Sequence, residues 1–138
     1  DTEWFIDKII EHKMEGRVNL VHCLSVAAQP EEDRQRIYKK IVETGSSVTV
    51  CPWAVISMKQ HRNKMANLHN SIASVDEMLE AGVNVAIGTD NISDIIVPED
   101  RGNILEEILL MASAVRLYDP KKLARVATLN GQKIMKLN

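Results

Sequence analysis

The chain has 138 residues, 45% hydrophobic and 26% charged, with 17 Lys and Arg against 19 Asp and Glu, the composition of an ordinary soluble globular protein of at most one domain. A formal net charge of −2 offers no broad basic field for gripping nucleic acid or an anionic membrane, and two cysteines are too few for a disulfide framework. No apolar run approaches the roughly 18 residues of a membrane span, and Asp1, Thr2 and Glu3 do not open a signal peptide, so a cytoplasmic address is expected.

Asp1 or Thr2 can cap a first helix whose apolar positions Phe5, Ile6, Ile9, Ile10 and Met14 recur at helical spacing, with Gly16 as its stop. Val18, Leu20 and His22 then alternate with Asn19, Val21 and Cys23, a period of two that predicts a short strand ending on a polar residue, His22. Pro30 with Glu31, Glu32 and Asp33 makes a favourable first turn, because the acids face the positive helix end; Ile37, Ile41 and Val42 carry that helix to Gly45. Ser47 to Cys51 is β-rich, and Pro52 ends the strand because it cannot donate to a ladder. Ser74 and Glu77 have the spacing of a capping box ahead of Met78 and Leu79, and Gly82 closes the helix. In the strand predicted over Val83 to Asp90, Val83, Val85 and Ile87 share one face and Asn84, Ala86, Gly88 and Asp90 the other. Ile104, Ile108, Met111, Ala112 and Val115 mark a long helix, Asp119 and Pro120 start another, and a short one is expected around Gln132 to Met135.

This order, with crossovers long enough for right-handed parallel connections, predicts an α/β fold of about three parallel strands with flanking helices. Ligands bind beyond the carboxyl ends of such strands, where His22, the Cys51–Pro52 exit and Asp90 would share one rim and one inward face. Singly, His22 has the plainer reading of a hydrogen-bonded structural histidine and Asp90 that of a turn residue. Jointly placed, a strand-end carboxylate suits a divalent metal and can accept a proton from water. Cys23 and Cys51 read as buried small hydrophobes without chemistry. The stretch Trp53 to Asn70, with His61 and His69, reads as a solvated loop that moves in the absence of ligand. No GxGxxG follows any strand, which sets a dinucleotide-binding reading aside.

The segments GRVNLVHCLS (Gly16 to Ser25), VTVCP and AGVNVAIGTDNISD (Ala81 to Asp94), in that order and spacing, resemble the cytosine deaminase-like branch of the amidohydrolase superfamily. EMLEAG before the third strand, Val97 and Pro98 after it, and the closing TLNGQKIMKL extend the resemblance over essentially the whole chain. It implies a partial TIM-type (β/α)8 barrel, with residues 1–138 as the C-terminal part holding the equivalents of strands six to eight. By the same resemblance Asp90 would be a metal ligand and proton acceptor, and His22 would contact the substrate or the attacking water. Asn91, where related pyrimidine deaminases often carry a second acid, would contact substrate as in relatives acting on triazine-type rings. The cofactor implied is Zn2+ or Fe2+, completed by a His-x-His and a further His that this sequence lacks.

A whole barrel takes about 250 residues, so a longer parent protein is expected, active where the 138 residues alone are not. The activity implied is hydrolytic deamination, or other C–N hydrolysis, of a heterocyclic or cyclic amide. The competing reading is a non-catalytic α/β fragment or interaction module carrying His22 and Asp90 as remnants. The expected partner is a small heterocyclic substrate, with neither nucleic acid nor membrane, and unpaired strand edges point to a homo-oligomer.

Overall fold

Leu20, Val48 and Val85 lie side by side across a parallel sheet in the computed structural model, which describes residues 2–58 and 71–137. The three strands are β1 (Asn19–Val21), β2 (Ser47–Val50) and β3 (Asn84–Ile87), in the order β1-β2-β3. Helix α1 (Thr2–Glu11) precedes them, α2 (Leu24–Ala27) and α3 (Glu31–Glu43) cross from β1 to β2, and α4 (Pro52–Ile56) and α5 (Val75–Glu80) lie between β2 and β3. The chain continues through α6 (Ile104–Val115), α7 (Pro120–Ala127) and α8 (Leu129–Ile134). Among the described residues the sheet stays open, and no helix is long and apolar enough to cross a membrane.

The two faces of the sheet differ in chemistry. Leu20, Val48, Val50 and Val85 join Ile6 of α1, Ile37 and Ile41 of α3, Met78 of α5, Met111 of α6 and Val126 of α7 in one buried cluster. The other face carries Asn19, Ser47, Thr49 and Asn84, which satisfy one another laterally: Asn19 Nδ2 donates to Thr49 Oγ1 at 2.9 Å and Asn84 Nδ2 to Ser47 Oγ at 3.1 Å. Parallel sheets are ordinarily buried on both faces. Here most apolar positions serve the helix side, while on the other face Ala86 is buried near Gly131 of α8, which reaches the sheet through Asn130, whose Nδ2 donates to the Val85 carbonyl at 2.7 Å.

Helix ends show where local signals operate and where they are overridden. Gly45 and Gly82 adopt φ of 59° and 88°, and the residues after them, Ser46 and Val83, donate back to the Ile41 and Met78 carbonyls at 3.1 and 2.9 Å, a left-handed stop that glycine adopts without steric cost. Helix α1 ends earlier than its apolar spacing suggests, because Lys13 takes the left-handed position (φ 55°) and Met14 N donates to the Ile9 carbonyl at 2.9 Å. Gly16 instead turns the chain into β1, donating to the Thr44 carbonyl at 2.8 Å. Asp119 caps α7, its Oδ1 accepting from Lys121 N at 2.8 Å.

The capping box expected at Ser74 does not form. Ser74 makes no side-chain cap bond, and the Glu77 carboxylate instead receives a bidentate pair from Arg34 Nε and Nη2, both at 2.8 Å, the stronger charge-assisted geometry. The loop expected from Trp53 is also shorter than its sequence suggests, since Pro52 at the first turn starts α4, which runs to Ile56. The rest of that stretch, Lys59 to Asn70 with His61 and His69, lies outside the described residues.

Met78 is fully buried beneath the sheet. Replacing it with Ala should cost about 2–5 kcal/mol, and with Leu, which nearly conserves volume, less than about 1.5 kcal/mol. Urea unfolding of the two variants checks both values, and equal losses would show that the site is not packed as described.

Candidate active site

The ladder runs one residue beyond each neighbouring strand before the chain turns away: His22 N donates to the Thr49 carbonyl at 2.8 Å and Gly88 N to the Val50 carbonyl at 2.9 Å. The backbone then becomes left-handed at His22 (φ 65°), Cys23 (φ 51°) and Asp90 (φ 64°). Such conformations cost non-glycine residues of order 1–3 kcal/mol each and cluster where side chains must be aimed. They correct the expectation that strand alternation alone puts His22 and Asp90 on one inward face. By pleat parity His22 belongs with Leu20, which faces the helices, whereas Asp90 belongs with Asn84 and Ala86 on the opposite face. The left-handed turns break that parity and bring the two side chains together over the carboxyl edge.

His22 Nε2 lies 3.2 Å from Asp90 Oδ2, with side chains 30% and 39% exposed, so the pair is open to a small molecule. Among the described residues His22 Nδ1 is buried without a partner. Cys51, at the exit of β2, is the third member of the cluster: one ligand atom from each of His22, Cys51 and Asp90 lies within 4.8 Å of the others. Gly88 leaves the space for it, since a Cβ there would stand 3.1 Å from Thr49 Cγ2 and 3.4 Å from Cys51 Sγ. Burial pushes the Cys51 thiol up to about 12, the negative charges of Asp90, Glu107 and Asp100 adding to the effect, and burial pushes Cys23 up to about 11. In this state Cys51 packs as a neutral thiol.

Asn91 follows Asp90 on the same turn, but its carboxamide donates to Asp94. The Asp94 carboxylate also accepts from Ile96 N and Val97 N, both at 2.8 Å, and these bonds, Val97's foremost, hold its carboxyl below the usual range. Two acids behind the rim have no counterpart in the sequence reading. Glu107 and Asp100 are both essentially inaccessible to solvent. Glu107 was detectable in principle: it stands three residues after Ile104 and four before Met111, a carboxylate on the apolar stripe of α6. A cavity of about 350 Å³ lined by Gly82, Lys122, Arg125 and Lys133 lies at the opposite, amino edge of β3, away from this cluster.

The model of the Amidohydrolase family matches residues 2–138. An uncharacterised protein of Haemophilus influenzae is 35% identical over 79 residues, 57% of this chain and 28% of that protein. 5-Methylcytosine deaminase from Klebsiella pneumoniae, liganded with 5-fluorocytosine, superposes with a TM-score of 0.84 at 19% identity, over 99% of this chain and 33% of its own. N-isopropylammelide isopropylaminohydrolase from Burkholderia multivorans gives 0.77 at 18% identity, over 96% of this chain and 31% of its own. An adenosine deaminase from Xanthomonas campestris with bound zinc gives 0.59 at 24% identity, over 89% of this chain and 25% of its own. The shared fold is that of TIM-barrel amidohydrolases, and this chain spans about a third or less of the length of these proteins.

Both thiols should resist alkylation near neutral pH in the folded protein, because each is buried and held protonated. Iodoacetamide labelling read by peptide mass spectrometry should modify Cys23 and Cys51 only after denaturation; prompt labelling of Cys51 in the native protein would contradict its described environment.

Proposed function

The chain belongs to the amidohydrolase family, and from that premise we propose that the protein hydrolyses a carbon–nitrogen bond of a heterocyclic or cyclic amide substrate, with Asp90 and His22 at the reacting centre. The observation that carries the reading is the 3.2 Å approach of His22 Nε2 to Asp90 Oδ2 at the carboxyl edge of a parallel sheet, the edge on which barrel enzymes build their active sites. The names of the structural relatives point the same way: deaminases of 5-methylcytosine and of adenosine, and an aminohydrolase of N-isopropylammelide. A mere remnant would leave the left-handed backbone at both His22 and Asp90 without a use.

The donor chemistry suits a divalent cation of the zinc or iron type. An imidazole, a carboxylate and a thiol converge within 4.8 Å, and among the described residues the buried His22 Nδ1 has no partner. Asp90 would hold the ion, and the rest of a longer protein would supply the further ligands that a closed coordination shell requires. When bound, the ion supplies the positive charge that makes water acidic enough to attack at neutral pH.

The chain's own residues do the rest. Asp90 accepts the proton released by the attacking water and returns it to the departing nitrogen, so that water adds across the C–N bond and an amine or ammonia leaves. His22, held beside that carboxylate, orients the water or polarises the ring atom next to the carbon under attack. Asn91 offers a carboxamide to the ring once it exchanges its bond with Asp94. His22 and Asp90 remain partly exposed, and substrate closes over them and excludes solvent.

Replacing Asp90 with Ala should abolish turnover and lower metal content together. Replacing His22 with Ala should lower the rate by about 10²–10⁴-fold, the usual worth of a positioned proton-transfer or polarising group. Ammonia release from a panel of aminopyrimidines and aminotriazines, with metal measured on the same samples, provides the test. An Asp90→Ala protein with unchanged rate and metal would refute the assignment.

A further inference from the structure

Behind the rim lies a pair of acids that the proposed reaction does not use. Glu107 is 0% exposed and Asp100 1% exposed. Glu107 reaches out of α6, and its Oε2 accepts the Trp53 amide N–H, in the first turn of α4, at 3.0 Å. Asp100 sits in the loop after β3; its Oδ1 accepts from Gly102 N at 2.7 Å, and its backbone carbonyl accepts from Ser93 N at 2.7 Å and Ser93 Oγ at 2.8 Å. One oxygen on each side chain is left over. Among the described residues Glu107 Oε1 and Asp100 Oδ2 are buried with no partner, and the two side chains are neighbours, a hydrogen bond from Asp100 contributing to the raised Glu107 carboxyl.

Two ionised carboxylates present only acceptors, so their facing oxygens cannot satisfy one another, and like charges repel in a site shielded from water. A single proton turns one oxygen into a donor and satisfies both. We propose that Asp100 and Glu107 share one proton and act together as positioning residues, fastening the loop that follows Asp90 to the start of α4 and so fixing the carboxyl edge of the sheet. This role goes beyond the hydrolase reading and stands without it.

The electrostatic surroundings agree. Burial, with the charge of Asp100 adding to it, pushes Glu107 up to about 7 from an ordinary 4.5. Among the described residues the other titratable groups facing the pair are Asp90 at the end of β3 and Cys51 at the end of β2, an acid and a neutral thiol, and neither side chain is itself a cation. The folded protein therefore keeps a proton that the unfolded chain releases at lower pH. The clamp's contribution is complete below about 4.5 and is lost as the pH rises through about 7.

Hydrogen exchange at the amides of Trp53, Ser93 and Gly102, expressed as protection factors against pH, tests the clamp in the protein and in Glu107→Gln. The glutamine carboxamide can accept from Trp53 and donate to Asp100 at every pH. Protection in the unaltered protein should fall at least about tenfold, the worth of one pKa unit, across a midpoint near 7, while Glu107→Gln stays flat and Glu107→Ala is weakly protected throughout. Parallel pH profiles for the unaltered and Gln proteins would overturn the proposal. Should Glu107→Gln fail to fold, infrared difference spectroscopy of the unaltered protein decides: a protonated carboxyl band that titrates away near pH 7 supports the shared proton, and its absence in mildly acidic solution overturns it.

Discussion

Parallel pairing in a single register is the constraint on which the other features depend. Asn19, Ser47 and Asn84 begin three strands of only three or four residues each, and helical crossovers return the chain to the amino edge each time, so every strand leaves the sheet on the same side. The register is held from below: Leu20, Val48 and Val85 project into one core against α1, α3, α5 and α6, and a slip of one residue would turn the whole set toward the polar face. With strands this short, the place where each chain leaves the sheet is determined within a residue or two. His22, Cys51 and Asp90 meet because three buried valine and leucine positions are aligned.

Left-handed backbone marks the place where that pairing ends. The backbone is left-handed at His22, Cys23 and Asp90, at or just past the last ladder bonds, His22 N to the Thr49 carbonyl and Gly88 N to the Val50 carbonyl. The loop after Asp90 is fastened in turn by Asp94, which gathers the amides of Ile96 and Val97, and by Asp100 and Glu107 behind it. Aim at the rim, order in the loop and packing in the core are thus one mechanical sequence running from the sheet outward.

Much of the fold was legible in the residues because period and punctuation agreed. Strand phases at Val83, Val85 and Ile87, the glycine stops at Gly45 and Gly82, and the Asp119–Pro120 start of α7 are local devices that tertiary structure had no reason to override. Ser74 and Glu77 illustrate the opposite case, since the partner that takes Glu77 is Arg34, 43 positions away and invisible to a local pattern. The candidate site was legible in its members and not in its geometry. His22 and Asp90 are polar residues ending apolar runs, but the positive φ that brings them together is a property of two non-glycine residues to which no sequence rule assigns it. The Cys51 exit was placed on the rim, but its thiol and Glu107 were obscured for another reason: each occupies a position where apolar packing is the ordinary expectation, and the assembled sheet shows a thiol beside His22 and Asp90 and a buried carboxylate behind them.

The central claim is that Asp90, beside His22 at the carboxyl edge of the sheet, receives a divalent ion. The most direct test is a crystal structure of the zinc-loaded protein with anomalous data recorded on both sides of the zinc edge. The account predicts an anomalous peak at about 2.0–2.2 Å from an Asp90 carboxylate oxygen, with the His22 imidazole against the same centre. A fully loaded, active protein whose zinc lies away from Asp90 would contradict it.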